Sequence, residues 1–181
     1  MDSKAASREE IISKFHDGQT IAIGGQTSRC MPERLIGCIL ESGAKHLTIY
    51  CIDTGIPGAG VGRLIDAGVV DHLITTHVGT NPVTNAQIQA GTLTVEFSPM
   101  GSFVERIRSG GFGLGGILTK TGLGTLAEEG KQVVEVNGEY VVHSVYGTQL
   151  RVLSYEIKAP EDLLSIERYL GPGAIKGVGA S

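Results

Sequence analysis

The chain has no tryptophan, and aromatic residues make up only 5% of its 181 positions. Cysteine is scarce as well: Cys30, Cys38 and Cys51 are an odd number, without CxxC spacing and without a histidine cluster at metal-ligand intervals. A disulfide framework and a structural zinc site are thereby excluded, and a reducing cytoplasm is the expected setting. No stretch approaches the ~20 consecutive apolar residues of a membrane span. Residues 1–10 include acidic side chains and no apolar h-region, so neither export nor membrane insertion is expected. Positive charge is in deficit too, with 15 Lys plus Arg against 19 Asp plus Glu and a formal net charge of -4. With no basic stripe to condense on a phosphate backbone, nucleic acid is not a partner. GxGxxG after the first strand and GxxxxGK[ST] are both missing, which removes the usual dinucleotide and nucleoside triphosphate signatures.

What the chain has in excess is glycine, 27 residues with no three-residue period and only 6 Pro. That is about twice the ordinary share of ~7%. A glycine inside a regular element costs up to ~1 kcal/mol, so such an excess serves local backbone geometry. The 41% apolar content fills one core, and a single domain over residues 1–170 with a flexible tail at 171–181 is expected.

Periodicity then orders the elements. Ser7 and Glu10 have the capping-box spacing before Ile11, Ile12 and Phe15, which predicts a first helix. A strand over 20–23 runs into Gly24-Gly25, and a helix restarts at Pro32 and continues to Gly43. Strands are predicted at 47–52, 71–77 and 92–97, with helices at 61–67, 85–90 and 102–108. This alternation implies an α/β fold, an open and mostly parallel sheet with helices on both faces. Asn137-Gly138 between two short strands adds a β-hairpin, since both residues accept the positive φ of a type I′ turn. A last helix is predicted at 160–170.

Ligands of open α/β sheets collect at the carboxyl ends of the strands, so the loops 24–31, 53–60, 79–85 and 99–102 share one candidate rim. Gly24-Gly25 ahead of a helix either presents backbone N–H groups to an anion or is only a tight turn. The run 110–116 carries Phe112 and Leu114 where a linker would carry serine, and is read as a packed, ligand-facing loop. Glu105 and Arg108 at i, i+3 read as a surface ion pair. His46, His72 and His143 lack spaced partners, and Cys30 lacks an identifiable base.

The stretch Glu96-Phe-Ser-Pro-Met-Gly-Ser-Phe-Val-Glu-Arg-Ile-Arg108, then Gly110-Gly-Phe-Gly-Leu-Gly-Gly-Ile-Leu-Thr-Lys-Thr-Gly-Leu-Gly-Thr125 and Glu129-Gly-Lys131, closely resembles the alpha subunits of family I CoA-transferases. Asp17-Gly18, Gly24-Gly25, Pro32, Asp53-Thr54, Gly60-Val-Gly62 with Leu64-Ile65, and Gly79-Thr-Asn-Pro82 agree in the same order, from about residue 8 to 142. The nearest likeness is to acetoacetate, butyrate and acetate CoA-transferase alpha subunits. The resemblance implies an enzyme that moves CoA between a short-chain acyl-CoA and a carboxylate such as acetate or acetoacetate. It implies coenzyme A as a substrate rather than a resident cofactor, no metal, and a beta subunit carrying the nucleophilic glutamate, on which an acyl anhydride and then a glutamyl-CoA thioester form. This chain then supplies pocket walls, with Gly24, Gly25, Gln26, Asn81, Met100, Gly101, Gly115 and Gly116 on the substrate side and no certain catalytic residue of its own.

Three departures accompany the likeness. Met100 stands where the family has the Gln of a Pro-Gln-Gly-Thr motif, and a thioether donates no hydrogen bond to an oxyanion. The loop Gly24-Gly-Gln-Thr-Ser-Arg-Cys-Met-Pro32 is polar where the family continues with Phe and further glycines, which makes Gln26 or Arg29 a replacement polar contact and implies a changed carboxylate substrate. After about residue 142 the family pattern ends, and dependence on a partner for stability is expected. The rival reading is a non-catalytic paralogue that binds acyl-CoA, a metabolite or the beta chain without turnover. A third, a sugar-phosphate isomerase of similar layering, needs an acid/base pair that cannot be located.

Overall fold

The computed structural model describes residues 6–144. The helix expected at 160–170, the tail at 171–181 and the end of the expected single domain lie outside the described residues.

Four strands, β1 (Thr20–Ala22), β2 (Leu47–Tyr50), β3 (Val70–Thr75) and β4 (Thr94–Phe97), pair in parallel in the spatial order β1-β2-β3-β4. Between them run α2 (Glu33–Ser42), α3 (Gly62–Asp66) and α4 (Pro82–Gln89), preceded by a short α1 (Arg8–Ile12) whose cap is Ser7. Each crossover steps one strand in the same direction, and right-handed crossovers then deliver α2, α3 and α4 to one face. The register agrees. Ile21, Ile49, Leu73 and Val95 lie in one row across the sheet and share a core with Ile36, Ile39, Leu64 and Ile65 from the helices. The next row presents Tyr50 and Ile74 to the opposite face, where Phe103 of α5 (Met100–Gly111) packs on them. β2 and β3 are therefore covered on both sides, which is why they read as apolar runs rather than as alternating patterns. Each such aliphatic side chain, fully buried, contributes roughly 1.5–3 kcal/mol.

A second, antiparallel sheet has the order β5-β7-β6, from β5 (Ile117–Thr119), β6 (Gln132–Val136) and β7 (Glu139–Ser144). Asn137 and Gly138 turn the hairpin with φ of 53° and 80°, as their sequence predicts. β5 is too short to register as a period and has no counterpart in the sequence reading.

Two helices differ from expectation. α4 starts at Pro82, not at 85, because Asn81 caps it and proline suits the first helical position. α5 runs to Gly111, through glycines whose propensity argues for a break; the buried Ser109 donates its hydroxyl to the Arg106 carbonyl at 2.9 Å and the helix continues. The run 110–116 is thus partly a helix end. Phe112 and Leu114 are 75% and 57% exposed, so the segment is not the packed loop that its apolar residues suggested.

Candidate functional site

Gln26 and Arg29 pair with each other across a two-residue turn, through N–H to carbonyl bonds of 3.0 and 2.8 Å. The central residues, Thr27 and Ser28, have φ of 47° and 62°, and Cys30 follows at 56°. Left-handed backbone is rare for non-glycine residues and costs on the order of 1–3 kcal/mol at each position, most for a β-branched threonine. Asp53, fully buried just beyond β2, holds the turn in place. Its carboxylate accepts the Thr27 N–H at 2.9 Å and the Gly55 N–H at 2.7 Å. Ser28 Oγ accepts the Ile56 N–H at 3.1 Å and donates to the Ala59 carbonyl at 3.3 Å. Further along, Glu33 accepts the Gly60 N–H at 2.6 Å and pairs with Arg63 at 3.1 Å. The first two rim loops are therefore one hydrogen-bonded unit, and residues far apart in sequence fix each other's conformation.

Gly25 is required here. At φ 120°, a Cβ would stand 2.4 Å from Met31 Cγ and 2.8 Å from the Arg29 carbonyl oxygen. Gly24 and Gln26 are exposed beside it. Asn81, expected on the substrate side, is fully buried instead. Its Oδ1 caps α4 by accepting the Val83 N–H at 3.0 Å, and its Nδ2 donates to the Thr54 carbonyl at 3.3 Å, tying the third loop to the second. Its amide is used within the protein. Met100 is 44% exposed and opens α5 at the carboxyl end of β4, with Gly101 exposed behind it. The amides of the first helical turn have no intrahelical acceptor, and they stand at the same end of the sheet as the turn at 26–29. Gly115 is exposed, and its carbonyl accepts from His143 Nε2 at 3.0 Å. Gly116 adopts φ 126°. Among the described residues, no hydrogen bond joins Gly115 or Gly116 to the 24–31 loop.

Beneath Met100 lies a charge cluster. Glu96 on β4 accepts from Arg106 of α5 at 2.6 Å and lies 3.2 Å from Lys131 Nζ. Arg106 also stacks over the Tyr50 ring. Burial pushes the Glu96 carboxyl upward, but the Arg106 hydrogen bond and the charges of Arg106 and Lys131 outweigh it and hold the group below the usual carboxylate range. Lys131 donates further to the carbonyls of Phe97 and Ala127 at 3.1 and 2.7 Å. These residues had a signal in the sequence. Glu96 falls on the inward step of a two-residue period, and Arg106 follows the inward Phe103 by three positions. The expected surface pair, Glu105 with Arg108, is present and exposed.

The remaining candidates fall elsewhere. His46 pairs with Asp71 at 2.8 Å at the amino end of the strands, opposite the rim, and His72 bonds Thr94 at 2.8 Å. Cys30 is exposed in the strained loop, whereas burial pushes the Cys51 thiol up to about 12. Two buried hydroxyls at the rim, Thr80 Oγ1 and Ser98 Oγ, have no partner among the described residues.

A parallel α/β sheet with three linked loops at its carboxyl edge and a helix amino end beside them is an arrangement that holds an anionic ligand on backbone groups. Residues 5–146 match the family model for coenzyme A transferase, and the chain belongs to that family. It is 47% identical over 143 residues to the acetoacetyl-CoA:acetate/butyrate CoA transferase alpha subunit of Clostridium acetobutylicum, covering 78% of this chain and 66% of that one. It is 42% identical over 139 residues to the acetate CoA-transferase subunit alpha of Escherichia coli K12, covering 77% and 63%. The chain thus spans about two thirds or less of the curated relatives it matches. Among solved structures, an acyl-CoA transferase from E. coli O157:H7, in a thioester complex with CoA, superposes with a TM-score of 0.66 at 17% identity over 77% of this chain and 32% of that one. At that identity the likeness shows the fold. No helix among the described residues is long and apolar enough to cross a membrane.

Proposed function

We propose that this chain is the alpha-type half of a short-chain acyl-CoA transferase, moving CoA between an acyl-CoA and a carboxylate such as acetate or acetoacetate. The observation that carries the reading is the exposed amino end of α5 at Gly101, at the carboxyl edge of the parallel sheet, in a chain similar to two alpha subunits named for that chemistry. In this reading the nucleophile is a glutamate of a beta-type partner in the cytoplasm. Its carboxylate attacks the acyl-CoA carbonyl and expels the CoA thiolate, giving a mixed anhydride. The thiolate then attacks the glutamyl carbonyl, which leaves a glutamyl-CoA thioester and releases the first acid. The second acid reverses the sequence and departs as its CoA ester. CoA is a substrate, with no resident cofactor.

This chain contributes positioning and charge stabilisation. Each tetrahedral step places negative charge on a carbonyl oxygen, and donors fixed in advance lower that barrier. The thioether of Met100 cannot donate. The donors at this corner are therefore the backbone amides at the start of α5. Mixing the chain with a beta-type subunit and following acyl-CoA formation from acetate tests the reading. CoA transfer is expected. Assembly without transfer would leave the non-catalytic paralogue, which the Met100 substitution favours.

A further inference from the structure

The four loops at the carboxyl edge of the parallel sheet, residues 24–31, 51–61, 76–81 and 98–101, contain only two residues from Asp, Glu, Lys and Arg: Asp53 and Arg29. Asp53 is fully buried and spends its oxygens on the Thr27 and Gly55 amides. Arg29 is exposed, and among the described residues its guanidinium has no ion pair and no hydrogen bond. Among the described residues, Arg29 is therefore the one free Lys or Arg cation of these loops, and it stands on the turn that Asp53 holds by hydrogen bonds. The turn holds left-handed backbone at Thr27 and Ser28 without a glycine. Backbone strain of this kind survives only where the surroundings over-determine it, and it clusters at ligand clamps.

We propose that Arg29 receives an anionic oxygen group of the substrate, either the carboxylate of the acid or a phosphate of coenzyme A, and that Asp53 is its positioning residue. The proposal rests on the transferase reading for the identity of the ligands. A guanidinium presents a planar fork of donors to carboxylate or phosphate oxygens, which a flexible lysine matches only as a point charge. A side chain this long loses much of its rotamer freedom on binding. Asp53 lowers the cost of binding by holding the backbone that carries it, because Arg29 both donates its N–H to Gln26 and accepts from it within the clamped turn.

The test is equilibrium binding of coenzyme A, 3′-dephospho-coenzyme A and acetoacetate to the chain assembled with a beta-type subunit, for wild type, Arg29→Met and Arg29→Lys. Arg29→Met is expected to weaken one ligand class roughly 10- to 100-fold, with the thermal midpoint unchanged and part of the loss recovered by Arg29→Lys. A loss confined to acetoacetate assigns the carboxylate. A loss for coenzyme A assigns a phosphate, the 3′ one if dephospho-coenzyme A is unaffected. Asp53→Ala, if it folds, should reproduce the loss and add nothing to Arg29→Met, as expected of residues acting as a unit. Unchanged binding of all three ligands by Arg29→Met, or wild type that binds none of them, overturns the proposal. A wild-type assembly that binds but transfers no CoA refutes the transferase reading alone.

Discussion

Lys131 Nζ donates to the carbonyl of Phe97 at 3.1 Å, across 34 residues of sequence. The same ammonium reaches Ala127 and lies 3.2 Å from Glu96, and its side chain is only 8% exposed. Phe97 is the last residue of β4 and leads directly into Ser98, Pro99 and Met100. A Cβ on Gly122 would meet Ala127 Cβ at 3.2 Å and Pro99 Cγ at 3.6 Å, so the chain from Gly122 to Lys131 lies against this corner.

Lys131→Met removes all three contacts at similar length. Glu96 keeps Arg106, so the loss stays below that of a fully broken buried pair, at about 2 kcal/mol. Amide hydrogen exchange should speed up first at Thr125, Glu128 and Lys131, whose N–H groups close the local turns. Exchange unchanged in that segment would show that Lys131 does not anchor it.

Glu96 makes this corner acid-sensitive. Its folded pKa lies below the ordinary value of 4.5, so the unfolded chain binds its proton first as pH falls. The stabilisation is fully present above pH ~4.5 and is lost as pH drops through the depressed folded value. Glu96→Gln should flatten the thermal midpoint below that pH relative to wild type. Parallel curves for the two proteins would contradict the assignment.

Two glycines should part company on mutation. A Cβ on Gly62 would stand 2.0 Å from the Ile56 carbonyl oxygen, so Gly62→Ala must displace the second rim loop and should cost several kcal/mol, about 2–4. Gly101, exposed in the first turn of α5, has nothing within 4 Å. Alanine there should add about 0.5–1 kcal/mol of stability while lowering CoA transfer, if substrate approaches that backbone. Thermal denaturation beside activity separates the two effects.

Much of this was legible in the sequence. Parallel strands follow from the alternation of short apolar runs with helical periods, the hairpin from Asn137-Gly138, and the α1 cap from Ser7. What escaped were relationships closed only by tertiary packing. The helix through Gly110 and Gly111 defies glycine's propensity because Ser109 and Arg106 are packed inward. Asn81 reads as a polar loop residue, yet it is the cap and cross-tie of a buried joint. The positive φ at Thr27 and Ser28 is foreign to both residues and exists because Asp53, 26 residues away, accepts the Thr27 amide.

Met100→Gln would place an amide donor at the amino end of α5. If an oxyanion forms there, kcat should rise, up to ~10²-fold, with KM little changed. An unchanged or lower kcat would mean that the backbone amides already suffice or that the charge develops elsewhere.

In the proposed transferase the labour is divided: this chain shapes the site and a partner supplies the nucleophile. Mass spectrometry of the two-chain assembly, after incubation with acyl-CoA and borohydride trapping, addresses it directly. A modified glutamate is expected on the beta-type subunit, with this chain unmodified. A covalent adduct on this chain, or CoA transfer by this chain alone, would contradict it.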